Sequence, residues 1–523
     1  MGKLTVHHAL QNAVQKNPNK SFLFFNEQSI SFKELDEISN RLASSLLDEG
    51  FKKGDNIAVV ALNQLEWLYT YFAAAKIGVG VVALNVRYRE AEFEYMLNNS
   101  NCKGLVTINE FADFNYSQFF RGFQSKVPTI EKYIFIGGGF EGSLSFEELV
   151  HRAPNIEKLA AAQGIVQEED TVIIIYTSGT TGRPKGTKIT NKSILASARA
   201  QADHTKLTEA DRIVGNLPLN HVGGITCTIH TALVSMGSVV LVPFFTADLV
   251  LEAIHYHKPT MIGGVPTMFV MMLNHKDVDK YDLSSIRICT IGGSNVEPRL
   301  CNILSEKFPE ATLFNLYGLS ESSGACVLTK TTDPMEKVQQ SIGVPIGDFK
   351  VKVVDVNKEE LPVGDVGELA FKGECIANGY FGLEKESMET FSDEWLYTGD
   401  MGSVDEEGYI YFKGRQKEVY IQGGYNVYPV EVENILATHP KVAIVAGIGV
   451  PDSFFGEVGR FYIITIPGAS VTEEELKLFC RQHIADYKVP KQFEIVTELP
   501  LTPAGKVQKA LLKQQYLQES EGV

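Results

Sequence analysis

A chain of 523 residues is too long for one core, so it divides into two or more domains. Its 44 % apolar content is that of an ordinary soluble globular protein. Lys+Arg number 48 against 64 Asp+Glu, and the net charge of −16 speaks against a nucleic-acid binder and against tight attachment to anionic lipid, so a polyanionic ligand needs a local basic site set against that field.

In chain order, the opening MGKLTVHHAL has no apolar signal core, and Val6 stands where a myristoylation pattern needs Ser or Thr. Ser31 and Glu34 form a capping box that opens a helix over FKELDEISNRLASSLLDEG, with Gly50 as its stop. NIAVVA reads as a buried strand, EWLYTYFAAAKIG as a helix and VGVVAL as a strand; FEYMLNNS and GLVTI repeat the cycle. A second series follows residue 176: a helix from Lys192, the strand SVVLV, a helix near Leu249, then TMIGGVP and IRICTIGGS. Such α/β alternation predicts largely parallel sheets flanked by helices, with ligands at the C-terminal ends of strands. YTSGTTG, GGVPT and GGS all fall at such ends.

Between Arg212 and Asp248 no formally charged side chain occurs, a run long enough for a membrane span. Asn216, Pro218, Asn220, His221, Thr226, Thr228, His230 and a Gly-Gly break favour instead a buried helix followed by the buried strand SVVLV. From about Lys350 the texture turns to strand and turn (VKVVDV, NKEELPVGDVG, ELAFKG, GYIYFKGR). Residues 415–523 then read as a small α+β domain with helices over PVEVENILATHP and TEEELKLFCRQHI. Seven scattered cysteines (Cys102, Cys227, Cys289, Cys301, Cys326, Cys375 and Cys480), with no CxxC pair, predict reduced thiols in a cytoplasmic protein rather than a disulfide or zinc framework.

The segment YTSGTTGRPKG, residues 176–186, packs three glycines, three threonines, a serine, an arginine and a lysine directly after the apolar run TVIII. Such a loop can wrap phosphate oxygens, because glycine permits positive φ and close backbone approach while N–H and hydroxyl groups point inward. Lys185 adds a mobile cation for a triphosphate. No Gly-Lys-Ser/Thr closes the loop, so it is not a Walker A sequence. A flexible surface turn is the plainer alternative, and other segments bear on the choice. NLYGLSESSG follows at residues 315–324, WLYTGD ends at Asp400, KGRQKEVYIQGGYNVYPVEVE occupies residues 413–433, and PLTPAGKVQK closes at Lys509.

In order and spacing these five motifs resemble those of the adenylate-forming superfamily of acyl-CoA synthetases, luciferases and peptide-synthetase adenylation domains. The resemblance spans nearly the whole chain. It implies an AMP-binding N-terminal domain, residues 1–414, of parallel-rich sheets plus a β-rich subdomain, and a small mobile C-terminal α+β domain, residues 415–523. It implies that ATP activates a carboxylic acid as an acyl-adenylate, releasing pyrophosphate, and that the acyl group then passes to a thiol. Attack on the α-phosphate asks for charge neutralisation and alignment more than acid–base help. By this resemblance Thr177, Ser178, Gly179, Thr180, Thr181, Gly182 and Lys185 hold the β- and γ-phosphates. Gly292, Gly293, Ser294, Asn315 and Gly318 line the nucleotide cleft, Tyr317 stacks on adenine, and Ser320 keeps a hydroxyl where relatives more often have threonine. Glu321 stands as the magnesium ligand, in keeping with the preference of Mg2+ for a carboxylate beside phosphate oxygens and water. Asp400 accepts the ribose hydroxyls, Arg415 contacts ribose or phosphate, and Lys506 is the catalytic lysine that bridges the carboxylate and the α-phosphate. Taken singly, these segments would read as a capped turn, a turn aspartate and a solvated tail lysine.

CoA is the expected thiol. The resemblance puts Gly423 and Gly424 in the loop that lines the pantetheine path, and Phe455 where relatives place an aromatic against the CoA adenine; core packing is the other reading of Phe455. A free-standing adenylation enzyme that loads a carrier-protein thiol and a luciferase-like oxygenase are the alternatives, and no carrier segment follows Val523. An amino-acid substrate would require a buried acid to pair its ammonium. Residues 212–247 contain neither Asp nor Glu, so the expected acid is apolar: a medium- or long-chain fatty acid or an aryl acid, which points to fatty acid metabolism. His221, in NHVGG, resembles a gating residue near the carboxylate and the thiol path, or is a half-buried satisfied histidine. Gly223, Gly224, Gly264 and Thr267 suggest room for a chain. Lys506 and the 423–424 loop share the small domain yet serve different steps, so that domain is expected to rotate. Lys417 stands at the family's hinge position, or is a surface lysine. The expected ligands are ATP, Mg2+, CoA and a small carboxylic acid, with no nucleic acid and no transmembrane segment; peripheral membrane contact stays open.

Overall fold

The computed structural model describes residues 4–177, 183–294, 296–502 and 505–521. The predicted capping box forms. Ser31 opens the helix Phe32–Asp48, the Glu34 carboxylate accepts the Ser31 N–H at 2.8 Å, and Gly50 follows at φ +90°. Helix Leu65–Ile77 is buried on nearly every side, as expected of a helix at the centre of a fold. One apolar cluster joins its Trp67, Tyr71 and Phe72 to strand residues of two different sheets, among them Val81 and Ile173 of one and Leu23 and Val239 of the other. Separate clusters cover the outer faces, with Val250, Phe269 and Leu300 on one sheet and Phe93, Met96 and Phe120 on the other. Helices therefore lie between the sheets and outside both.

The first sheet runs Val344–Pro345, Gly324–Leu328, Thr312–Leu319, Ile288–Gly292, Met261–Gly264, Arg212–Gly215, Ser238–Leu241, Ser21–Phe25, Gln28–Ser31. Its interior pairs are parallel and its edges antiparallel. The second runs Lys185–Thr190, Thr171–Thr177, Gly80–Leu84, Asn56–Val60, Cys102–Ile108, Lys132–Ile136, Leu144–Ser145, with only the first pair antiparallel. A third, antiparallel sheet holds Lys350–Val354, Gly367–Lys372, Phe391–Ser392, Trp395–Val404 and Ile410–Arg415. The last sheet begins with Tyr420–Gln422, after a 3-10 turn at Gln416–Glu418. Arg415 thus ends a strand of the third sheet, where it pairs with Asp400.

No helix among the described residues is long and apolar enough to cross a membrane. The uncharged run is instead the strand Arg212–Gly215, a helical stretch and the strand Ser238–Leu241. Its helix differs from the expected one by a π turn at Ile225–His230. The Thr228 hydroxyl donates to Gly223 O at 2.9 Å and that of Thr231 to Thr226 O at 3.0 Å, each reaching five residues back along the widened turn. All seven cysteines are unpaired, and all but Cys227 are buried.

Candidate active site

The expected ligand-binding turns do close strands. Thr177 ends Thr171–Thr177, opposite Lys185 in a hairpin register; Gly264 ends Met261–Gly264, Gly292 ends Ile288–Gly292, and Ser320 and Glu321 follow Thr312–Leu319. Ser178, Gly179, Thr180, Thr181 and Gly182 lie outside the described residues. At Gly292 an added Cβ would sit 2.0 Å from Leu316 O, so close strand approach excludes any side chain there. At Gly318 the corresponding distance to Gly324 O is 2.2 Å. Ser294 is exposed and Ser320 buried.

Asp400, 3 % exposed, is the centre of a polar group drawn from distant parts of the chain. Its Oδ2 accepts the Tyr317 phenol at 2.7 Å, and its Oδ1 lies 3.3 Å from Arg415 Nε. Burial pushes the Asp400 carboxyl up, and Arg415 works against that rise. The Tyr317 ring packs between Phe371 and Phe412, at 5.9 and 6.1 Å between centroids. Asn315, by contrast, donates its side-chain amide to Val338 O and Ser341 O at 3.1 and 3.0 Å, anchoring the segment behind the strand.

Lys506 reaches this group from the C-terminal region. The Thr267 hydroxyl donates to Gly505 O at 2.7 Å, and Gly505, at φ +79°, fits against Val265 and Thr267. The Lys506 N–H donates to Thr502 Oγ1 at 3.0 Å, and its ammonium stem runs over Gly293, where a Cβ would lie 3.2 Å from Cε. Burial, with help from Arg415, lowers the Lys506 ammonium to about 8, while Asp400 and Glu321 pull it up. His221 caps the turn that precedes the π segment, its Nδ1 accepting the Gly223 N–H at 3.1 Å. Burial, and then the charge of Lys506, lowers its pKa to about 3. His221 is therefore neutral at physiological pH, and with Nδ1 accepting, the proton is on Nε2. Gly223 borders Leu217 and His221, Gly224 packs on Pro218 O, and Gly264 faces the Phe269 ring.

Glu321 accepts the phenol of Tyr380 at 2.7 Å, and the Lys185 ammonium lies 4.8 Å above the same ring. Sequence reading missed Tyr380. Its signal is the segment ANGYFG, in which the aromatics Tyr380 and Phe381 stand between Gly379 and Gly382. Among the described residues no three His, Cys, Asp or Glu side chains could jointly hold a metal. A lone carboxylate such as Glu321 suits Mg2+ that takes its other ligands from phosphates and water, so the residues present fit that ion.

The structure does not bring the remaining candidates to this group. Gly423 and Gly424, at φ +60° and +87°, form the two-residue turn between Tyr420–Gln422 and Tyr425–Val427. The Gly423 N–H donates to Phe455 O at 3.0 Å, and the Phe455 ring lies beneath Lys491 at 4.9 Å, with the neighbouring Phe454 85 % exposed. Lys417 is exposed on the 3-10 turn that leads to the last sheet.

A family model for AMP-binding enzymes matches residues 10–381, and one for the AMP-binding enzyme C-terminal domain matches residues 431–506. The mitochondrial medium-chain acyl-CoA ligase ACSF2 of Rattus norvegicus is 32 % identical over 98 % of this chain and 88 % of its own length. A long-chain-fatty-acid–CoA ligase of Bacillus subtilis (strain 168) is 31 % identical over 98 % of this chain and 94 % of its own. The crystal structure of the anthranilate CoA ligase AuaEII with anthranoyl-AMP superposes with a TM-score of 0.90 at 27 % identity, covering 100 % of this chain and 98 % of that one.

Proposed function

The chain belongs to the AMP-binding enzyme family and is an AMP-forming acid–thiol ligase of the acyl-CoA synthetase type; from that premise we propose that it activates an apolar acid, a medium- or long-chain fatty acid or an aryl acid, and passes the acyl group to CoA. The observation that carries the reading is the convergence on Lys506 of His221, Glu321 and the paired strands that hold Asp400 and Arg415, three segments far apart in the chain. A half-buried ammonium near a carboxylate, a guanidinium and a neutral imidazole suits a reaction that gathers negative charge at one phosphorus. Lys506 balances that charge while acid and α-phosphate are joined. Asp400 and Tyr317 position the nucleoside, and Arg415 steadies Asp400 and the phosphates. Lys185, with the loop that precedes it, carries the β- and γ-phosphates. Glu321 would hold Mg2+, which when bound neutralises the triphosphate. Neutral His221 offers an Nε2–H to the acid carboxylate without adding a second cation beside Lys506.

The apolar substrate class rests on the lack of Asp and Glu in residues 212–247, the segment that carries His221, Gly223 and Gly224. An α-ammonium buried there would have no counter-ion in that segment. The relatives named above, which by name act on medium- and long-chain acids and on anthranilate, agree with this class. In the second step the chain beyond Lys417 rotates about that residue while Arg415 stays in the third sheet, and Gly423 and Gly424 come to line the thiol path with Phe455 near the CoA nucleotide. A screen of acid-dependent ATP–pyrophosphate exchange over fatty, aryl and amino acids, with thioester formation followed when CoA is added, tests the assignment. Fastest exchange with amino acids and none with fatty or aryl acids would overturn it.

A further inference from the structure

We propose that Tyr380 is a positioning residue for the metal–triphosphate: its phenol holds the Glu321 carboxylate in the orientation that receives Mg2+, and its ring seats the Lys185 ammonium at the base of the phosphate loop. The proposal rests on the reading of Glu321 as the metal ligand and Lys185 as a phosphate ligand. Tyr380 is 6 % exposed, and its O–H donates to Glu321 Oε1 at 2.7 Å. A phenol is protonated at neutral pH and so donates this bond. The bond fixes the orientation of the carboxylate, and its other oxygen would hold the Mg2+ that the reading assigns to Glu321. The ring face lies 4.8 Å from Lys185 Nζ, within the range of a cation–π contact.

The backbone around Tyr380 is built into both neighbours. Asn378 N–H donates to Lys188 O at 2.8 Å, Lys188 N–H to Gly379 O at 2.9 Å and Phe381 N–H to Gly186 O at 2.8 Å, so residues 378–381 lie along the strand Lys185–Thr190. Ala377 N–H donates to Glu321 O at 2.9 Å, tying the same segment to the turn that carries Glu321. Tyr380 N–H donates to Ser387 Oγ at 2.9 Å, and Phe391 closes on the ring edge-on at 5.5 Å. A side chain fixed on both sides in this way sets the spacing between the metal carboxylate and the loop lysine before ATP arrives, which lowers the reorganisation that binding requires.

The test separates hydroxyl from ring. Tyr380→Phe keeps the face under Lys185 and removes the bond to Glu321. The readout is the calorimetric affinity for ATP with Mg2+ divided by that with a chelator, a ratio that a general loss of packing would not move. Loss of a hydrogen bond to a charged group should lower this Mg2+ enhancement about tenfold. Glu321→Gln should remove most of the enhancement alone, and Tyr380→Phe added to it should change nothing more, because the two act through one carboxylate. An enhancement that is unchanged in Tyr380→Phe but lost in Glu321→Gln overturns the role of Tyr380. An enhancement that survives Glu321→Gln overturns the metal assignment beneath it.

Discussion

The charge on Lys506 should be visible in the pH dependence of adenylation. Burial, with Arg415 adding repulsion, takes its ammonium from the ordinary 10.5 to about 8, against the pull of Asp400 and Glu321. That difference corresponds to about 3 kcal/mol by which the ligand-free cleft disfavours the charged form. The ammonium is the useful form, since negative charge gathers at the α-phosphate as the acid attacks. Below pH 8 the free enzyme carries the cation, and above it the cation is lost. Because kcat/KM reports the free enzyme, acid-dependent pyrophosphate exchange at low ATP should be half-maximal near pH 8 and about tenfold below its plateau at pH 9. In kcat the same limb should move to higher pH, because bound triphosphate favours the ammonium. Lys506→Arg should be slower yet lack the limb, as a guanidinium does not titrate in this range. A wild-type profile that stays flat from pH 7 to 9.5, or a limb at pH 8 that persists in Lys506→Arg, would refute the reasoning.

Burial raises the Asp211 carboxyl, but Arg287, Thr260 and the Thr208 N–H outweigh it and hold it at about 2. A depressed carboxyl contributes about 2 kcal/mol above its unfolded pKa and loses it as pH falls toward 2, so the stability gap between wild type and Asp211→Asn, from urea unfolding, should shrink by about 1 kcal/mol between pH 6 and pH 3. Lys76, fully buried, is held by Asp36 and by Asn40 Oδ1 at 2.7 Å. Asp36→Ala should therefore cost about 3–5 kcal/mol by stranding the charge, whereas Lys76→Met should cost far less; equal losses in thermal unfolding would contradict this. If Lys417 is the pivot, proline there, which fixes φ near −65°, should retain acid-dependent pyrophosphate exchange while losing CoA thioester formation. An unchanged ratio of the two rates, with both activities intact, removes Lys417 from that role.

Much of this fold is legible because its signals are local. Ser31 and Glu34 write a cap within four residues, and EWLYTYFAAAKIG announces a helix that, apart from Glu66 and Lys76, is mostly apolar. The strand-end turns are legible for the same reason, since Gly264 and Gly292 each close an apolar run. What escapes the sequence depends on partners far along the chain. Tyr380 reaches Glu321 across 59 residues and Tyr317 reaches Asp400 across 83, and no periodicity encodes either pairing. Asn315 sits inside a motif, yet its amide is drawn to Val338 and Ser341 behind the strand. The π turn at Ile225–His230 is equally hidden, because threonine hydroxyls reach back to Gly223 and Thr226 only once the helix is packed.

The central claim, a two-step ligation through an acyl-adenylate, is tested most directly by a single-turnover chase. The enzyme, in excess, is mixed with ATP, Mg2+ and a fatty or aryl acid without CoA, and the products are followed by mass spectrometry before and after CoA is added. The account predicts enzyme-bound acyl-adenylate and pyrophosphate in the first phase, then conversion of that adenylate to acyl-CoA and AMP. Formation of ADP and phosphate in place of pyrophosphate, or an adenylate that persists unchanged after CoA is supplied, would contradict it.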